Sequence, residues 1–248
     1  FHEGRLCLAG TKNEPQTIWL SKSYAPMNMD RSSPALDDDS CEFVLESDRI
    51  SPIRWLHSGR LLLIGSSSSE WTMSGVNNGA ITPTSFKASR ETMHGSSMLQ
   101  PVVIGNVVLF VDRSKRTVRG FVYQLDIDGY AGPDMSIVAD HLTADNTIED
   151  WDFQASSRLV WAVRDDGILL SLTFERDHEV MAWARHITDG TVEAVTVIPS
   201  NARDELWAVV RRTIGGTVKR FIEYLDEDFT TKSVEEGQAE TAFAFFLD

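Results

Sequence analysis

The chain of 248 residues carries 37 acidic against 23 basic residues, for a formal net charge of −14, with 42% hydrophobic and 24% charged residues. That balance supports a real core and excludes disorder of the whole chain, and so acidic a protein lacks the electrostatic footprint of tight phosphate binding. Length alone allows one large all-β domain or two ordinary ones.

The first β-rich runs are RLCLA (5–9), TIWLS (17–21) and EFVLE (42–46). Cys7 and Cys41 have no metal-ligand spacing and read as small buried hydrophobes of a reducing compartment, with a disulfide between them as the alternative. Asp37, Asp38 and Asp39 read as a solvated turn; calcium is the competing reading.

The next set is IRWL (53–56), RLLLI (60–64), EWTMS (70–74) and SFKASR (85–90), followed by PVVI (101–104), NVVLFV (106–111) and VRGFVY (118–123). Arg113, Lys115, Arg116 and Arg119 fall in a predicted hairpin turn and read as exposed solubilising charge. Asp126-Ile127-Asp128-Gly129 is a second acidic turn. It offers two aspartates and omits the distal glutamate of an EF-hand, so a solvated turn is expected there also. The segment 134–142 (DMSIVADHL) is the one short helical pattern, with Ile137, Val138, His141 and Leu142 able to share a face.

Further along come EDWDF (149–153), RLVWAV (158–163), ILLSLTF (168–174) and MAWARH (181–186), then EAVTVI (193–198), ELWAVV (205–210) and VKRFIEY (218–224). Asp166-Gly167 and Gly215-Gly216 supply the positive φ that tight hairpins require. The runs at 5, 60, 106, 158 and 205 start 55, 46, 52 and 47 residues apart, a repeat of blade length. Three or four antiparallel strands per repeat predict an all-β fold, a β-propeller of about five blades in one domain over 1–248. Its ring is closed by 242–246 (AFAFF) or by a strand lost upstream; an open or six-bladed arrangement is the alternative. The start at Phe1 and the ending AFAFFLD make both ends look like cuts in a longer chain.

The tryptophans (19, 55, 71, 151, 161, 183 and 207) are expected between blades, with Trp161 and Trp207 mostly buried. No GxSxG, Walker loop, HExxH or Rossmann glycine pattern is present, and His2, His57, His94, His141, His178 and His186 are scattered. Trp151-Asp152 matches the dipeptide of WD repeats once, without its partner, and Glu70-Trp71 follows a serine run without the aspartate and glycine of a sialidase turn. Catalytic, cofactor and metal residues are therefore none. No apolar run approaches the ~18 residues of a membrane span, and the start does not resemble a signal peptide.

The stretches 4–24 (GRLCLAGTKNEPQTIWLSKSY), 37–56 and 59–75 (GRLLLIGSSSSEWTMSG), with 100–114, 128–136, 174–186 and 204–216 (DELWAVVRRTIGG), resemble the propeller region of tail nozzle proteins of short-tailed bacteriophages, also called tail tubular protein B or tail stabilisation proteins. The resemblance covers nearly the whole chain. It implies a non-enzymatic structural component of the virion tail, made in the host bacterial cytoplasm and assembled with further copies and other tail proteins around the channel for DNA ejection. DNA would pass without tight binding, and the fragment alone would be monomeric, needing neither cofactor nor membrane. A carbohydrate-binding propeller acting as a host-surface adhesin is the alternative. It would show exposed tryptophans beside carboxylates or amides. A hydrolase or lyase on the propeller axis would need several polar residues converging at one end.

Overall fold

The computed structural model describes residues 1–47, 49–178, 180–200 and 203–226. It divides into two compact units, the first made of Phe1–Ser114 and Val118–Asp134, the second of Lys115–Thr117 and the chain from Met135 onward.

The first unit holds three antiparallel sheets. The first is β1 (Cys7–Ala9), β2 (Thr17–Leu20) and β3 (Cys41–Val44); the second is β4 (Ile53–Ser58), β5 (Leu62–Ser66), β6 (Glu70–Ser74) and β7 (Lys87–Thr92). The third is β8 (Val102–Ile104), β9 (Val107–Val111), β10 (Val118–Gln124) and β11 (Gly129–Ala131). The second unit holds β12 (Ile148–Gln154), β13 (Leu159–Arg164), β14 (Leu169–Glu175) and β15 (Val180–His186), then β16 (Thr191–Pro199), β17 (Asp204–Ile214) and β18 (Thr217–Tyr224). In every sheet, neighbours in the chain are neighbours in space. This is the blade pattern of an all-β fold of the β-propeller class, repeated five times. The runs at 60–64, 106–111, 158–163 and 205–210 fall in β5, β9, β13 and β17, each the second strand of its sheet. The closing stretch 242–246 lies outside the described residues.

Burial explains the strand sequences. In β5, β6 and β9 every residue is buried, so these strands are covered on both faces and β5 and β9 read as continuous apolar runs rather than alternating ones. The coverage comes from sheet stacking inside each unit. Ile18, Leu20 and Phe43 of the first sheet pack with Leu62, Ile64, Trp71 and Met73 of the second; Trp55 and Leu63 meet Val108, Phe110 and Phe121 of the third. In the second unit Trp161, Val163 and Leu169 pack against Val192, Val195, Leu206 and Val210. The sheets repeat a further detail. The first strands β4, β12 and β16 each slip register near their start, between Ile53 and Trp55, Ile148 and Asp150, and Val192 and Ala194, a bulge that bends and twists the strand where it enters the sheet.

Trp207, expected mostly buried, is partly buried, lying against the Tyr224 ring with its Nε1–H donated to Glu205 at 3.0 Å. Trp161 is 3% exposed, as expected. Over 134–142 a 3-10 segment Ile137–Leu142 forms, broken at Ala139 (φ −139°); Ala139 is its buried residue while Ile137 and Val138 are exposed, so no common apolar face exists. The third sheet also gains β11, three residues long, too short to leave a periodic signal in the sequence. Cys7 and Cys41 are free thiols, and both pair with Leu20, from opposite sides of β2. Two inter-strand spacings, about 10 Å, separate them, beyond disulfide reach.

Candidate functional site

The basic and acidic clusters singled out in the sequence are pulled apart. Arg113 and Arg116 are exposed. Lys115 pairs with Glu149 at 2.6 Å, and Arg119, half-buried on β10, donates Nη1–H to the Gly132 carbonyl at 3.0 Å. Asp126 is exposed at a 3-10 turn, while Asp128, in the left-handed region (φ 47°), accepts the Tyr123 hydroxyl at 2.5 Å. Trp151-Asp152 has a local use. The Asp150 carboxylate accepts the Val195 N–H at 3.0 Å and Asp152 accepts the Val197 N–H at 2.7 Å, tying β12 to the next sheet through β16. The serine run turns β5 into β6, with Ser66, Ser68 and Ser51 sharing hydroxyl bonds of 2.7–2.9 Å and Ser69 accepting the Trp71 indole N–H. Among the described residues no three His, Cys, Asp or Glu side chains converge, and no helix is long and apolar enough to cross a membrane.

The acidic turn at 37–39 belongs to a larger construction that sequence reasoning missed. The β2–β3 connection, residues 21–40, is long for a loop within a compact sheet, and such loops are commonly functional. It is clamped from below. Arg5, 2% exposed, donates to the carbonyls of Ser21 (2.7 Å), Asp37 (2.6 Å) and Asp39 (2.5 Å). The Asp39 carboxylate, itself fully buried, accepts N–H bonds from Leu36 (2.9 Å) and Ser32 (2.8 Å) and pairs with Lys22 at 2.9 Å. These bonds, led by the Leu36 N–H, hold its carboxyl far below the usual range. On top of this clamp Tyr24 (87% exposed), Met27 (93%) and Leu36 stand in solvent.

A second feature lies between the second and third sheets of the first unit, a cleft of about 850 Å³ partly open to solvent. The two-residue period of strands puts Thr72 and Ser74 of β6 and Lys87, Ser89 and Glu91 of β7 along one wall; Val108, Tyr123 and Tyr130 of the third sheet line the other, with Arg60 from the β4–β5 turn at its rim. Glu91 bridges the walls by accepting the Thr72 hydroxyl at 2.7 Å and the Tyr130 N–H at 3.0 Å. Tyr130 stacks on Phe121, with centroids 4.9 Å apart, and meets Tyr123 edge-on at 5.7 Å. Burial raises the Tyr130 phenol, the bond to Asp128 raises that of Tyr123, and burial lowers His57, so all three are neutral at pH 7. Near this cleft Glu70, fully buried, accepts the hydroxyls of Thr92 (2.5 Å) and Ser96 (2.9 Å). Burial raises its carboxyl, opposed by those bonds, by the His94 N–H and by the Arg119 charge.

No protein-family model matches the chain, and no curated protein matches it significantly. Among solved structures it is similar to the β-propeller domain of Cps50 (Swd1) from Myceliophteria thermophila, with 14% identity, 89% of this chain and 65% of that one covered, and a TM-score of 0.48. The chain thus spans just under two thirds of that domain's length. A protein from Lactobacillus plantarum gives 8% identity, 88% and 70% coverage and a TM-score of 0.43. A luciferin-regenerating enzyme gives 10% identity, 83% coverage of both chains and a TM-score of 0.34. The fold class rests on the strand pairing described above.

Proposed function

We propose that the chain is a non-enzymatic structural component of a bacteriophage virion tail, in the nozzle or tail-tube region around the path of DNA ejection, where it meets further copies and other tail proteins. The observation that carries a structural role is the loop 21–40. Buried Arg5 and Asp39 fix its backbone, and with the shape already set, Tyr24, Met27 and Leu36 point to water at an energetic cost that only a covering partner removes. An assembly surface is what such a construction provides. Several buried carboxylates outside this loop are spent on holding strands and sheets together, as with Asp150, Asp152 and Glu70.

The resemblance of the sequence supplies the tail, and the net charge of −14 suits a wall along which DNA slides without being held. The adhesin alternative stands second, since Trp55, Trp71, Trp151 and Trp161 are buried, which leaves the partly buried Trp19, Trp183 and Trp207 for stacking on a sugar. The test is mass spectrometry of purified particles from the phage that encodes the chain, with cryo-electron microscopy of their tails. Density for five-bladed sheets at the tail nozzle is expected; purified infectious particles lacking the chain would overturn the proposal.

A further inference from the structure

The cleft between the second and third sheets is not absorbed by a tail role, and its lining has a definite chemistry. Its volume of about 850 Å³ lies in the range of small-ligand sites, roughly 300–1,000 Å³. Arg60 and Lys87 line it, both exposed, and neither makes an ion pair with a carboxylate among the described residues. With Glu91 and Asp128 also on its walls the cleft is balanced in charge, within a chain of net charge −14, and its two cations stand apart from those carboxylates. Beside them lie hydroxyls (Ser74, Ser89) and side-chain amides (Asn78, Asn106), which donate and accept alike. Glu91 and Asp128 add acceptors already oriented by Thr72, the Tyr130 N–H and Tyr123. Tyr123 is 44% exposed and braced by Tyr130, so it offers an apolar ring with little ordering left to lose.

A ligand that matches this lining is rich in hydroxyls, has an apolar ring face and carries negative charge. A nucleotide matches less well, because its phosphates are usually cradled by backbone N–H groups at a helix start, and the described helices are 3-10 turns of three to six residues. We propose that this cleft binds an acidic saccharide, with Arg60 and Lys87 holding the carboxylate and Tyr123 packing on the sugar ring. Glu91 and Asp128 receive ring hydroxyls. The inference does not depend on the tail reading, since the same cleft serves a free lectin or a virion protein.

The experiment is calorimetric titration of the chain with trigalacturonate, with maltotriose as the neutral control and adenosine triphosphate as the competing anion. Trigalacturonate is expected to bind in the micromolar to low-millimolar range, and R60Q with K87Q to weaken it at least about tenfold, a loss of about 1.4 kcal/mol. Melting temperature should be unchanged because both side chains are exposed. Y123A is expected to weaken it as well, and two-dimensional NMR should place the perturbed amides in β7, β10 and β11. Absence of binding at about ten millimolar, equal binding of maltotriose, preference for adenosine triphosphate, or full affinity in the doubly substituted chain would each overturn the proposal.

Discussion

Gly65 shows how narrowly a single residue is specified. The Trp55 indole lies across it so closely that a Cβ there would sit 2.0 Å from the ring, and Trp55 in turn packs beside Phe110 with centroids 5.8 Å apart. Gly65→Ala is therefore expected to cost about 3 kcal/mol or more through overpacking, read as a drop in urea midpoint; an unchanged midpoint would show that the indole has room to move. The two tryptophans of the second unit separate in the same assay. Trp161→Ala, which empties a buried site and removes the indole N–H donated to Gln154 Oε1, should cost about 3–5 kcal/mol, and partly buried Trp207→Ala about half of that. Glu70 gives a pH signature. Its folded pKa lies above the ordinary 4.5, so its native state holds the proton more tightly than the unfolded chain. That contribution is full in acid below about 4.5 and is lost as pH rises through the raised value. The stability difference between wild type and Glu70→Gln should fall with rising pH over that window, and a flat difference would contradict a raised pKa.

At the scale of elements, the loop 21–40 is the part whose behaviour is easiest to provoke. Arg5→Met leaves the carbonyls of Ser21, Asp37 and Asp39 without their donor, and is expected to cost about 3 kcal/mol and to open 21–40 to limited proteolysis. Cleavage confined to other connections would refute the clamp. The Asp39 grip persists above its ordinary value of 3.8 and is lost only as pH falls through the depressed one. Much of the strand plan was legible because second strands such as β9 (VVLFV) and β13 (LVWAVR) are near-continuous apolar runs, each followed by a companion run across a short turn. Gly215 (φ 58°) and Gly216 (φ 76°) form a two-residue turn between Ile214 and Thr217, as the glycine pair foretold. The clamp was not legible, because Arg5 acts on carbonyls 16 to 34 residues away and nothing in RLCLA distinguishes a buried arginine from a strand-end one. The cleft was hidden for a related reason: Lys87, Glu91 and Tyr123 come together only through the stacking of two sheets.

For the molecule as a whole, the charge makes the sharpest statement. With −14 overall the chain can release few phosphate counterions, so its affinity for duplex DNA at low salt is expected to be weaker than micromolar, and light scattering is expected to show a monomer. Submicromolar binding would remove the sliding-wall reading. Sheets joined by carboxylates on neighbouring backbone N–H groups, as Asp150 and Asp152 join β12 to β16, should melt together rather than one at a time.

The row Cys7–Leu20–Cys41 across β1, β2 and β3 carries one more consequence. These are the chain's two cysteines, both belong to the first sheet, and burial raises both thiols, which leaves them little thiolate for a reagent to meet while the sheet is closed. The rate at which an alkylating dye captures them is then a clock for the opening of the first sheet alone, built in without introducing a label. Comparing the two rates tells whether the β1 edge peels away ahead of β3 or the whole row is exposed in one event.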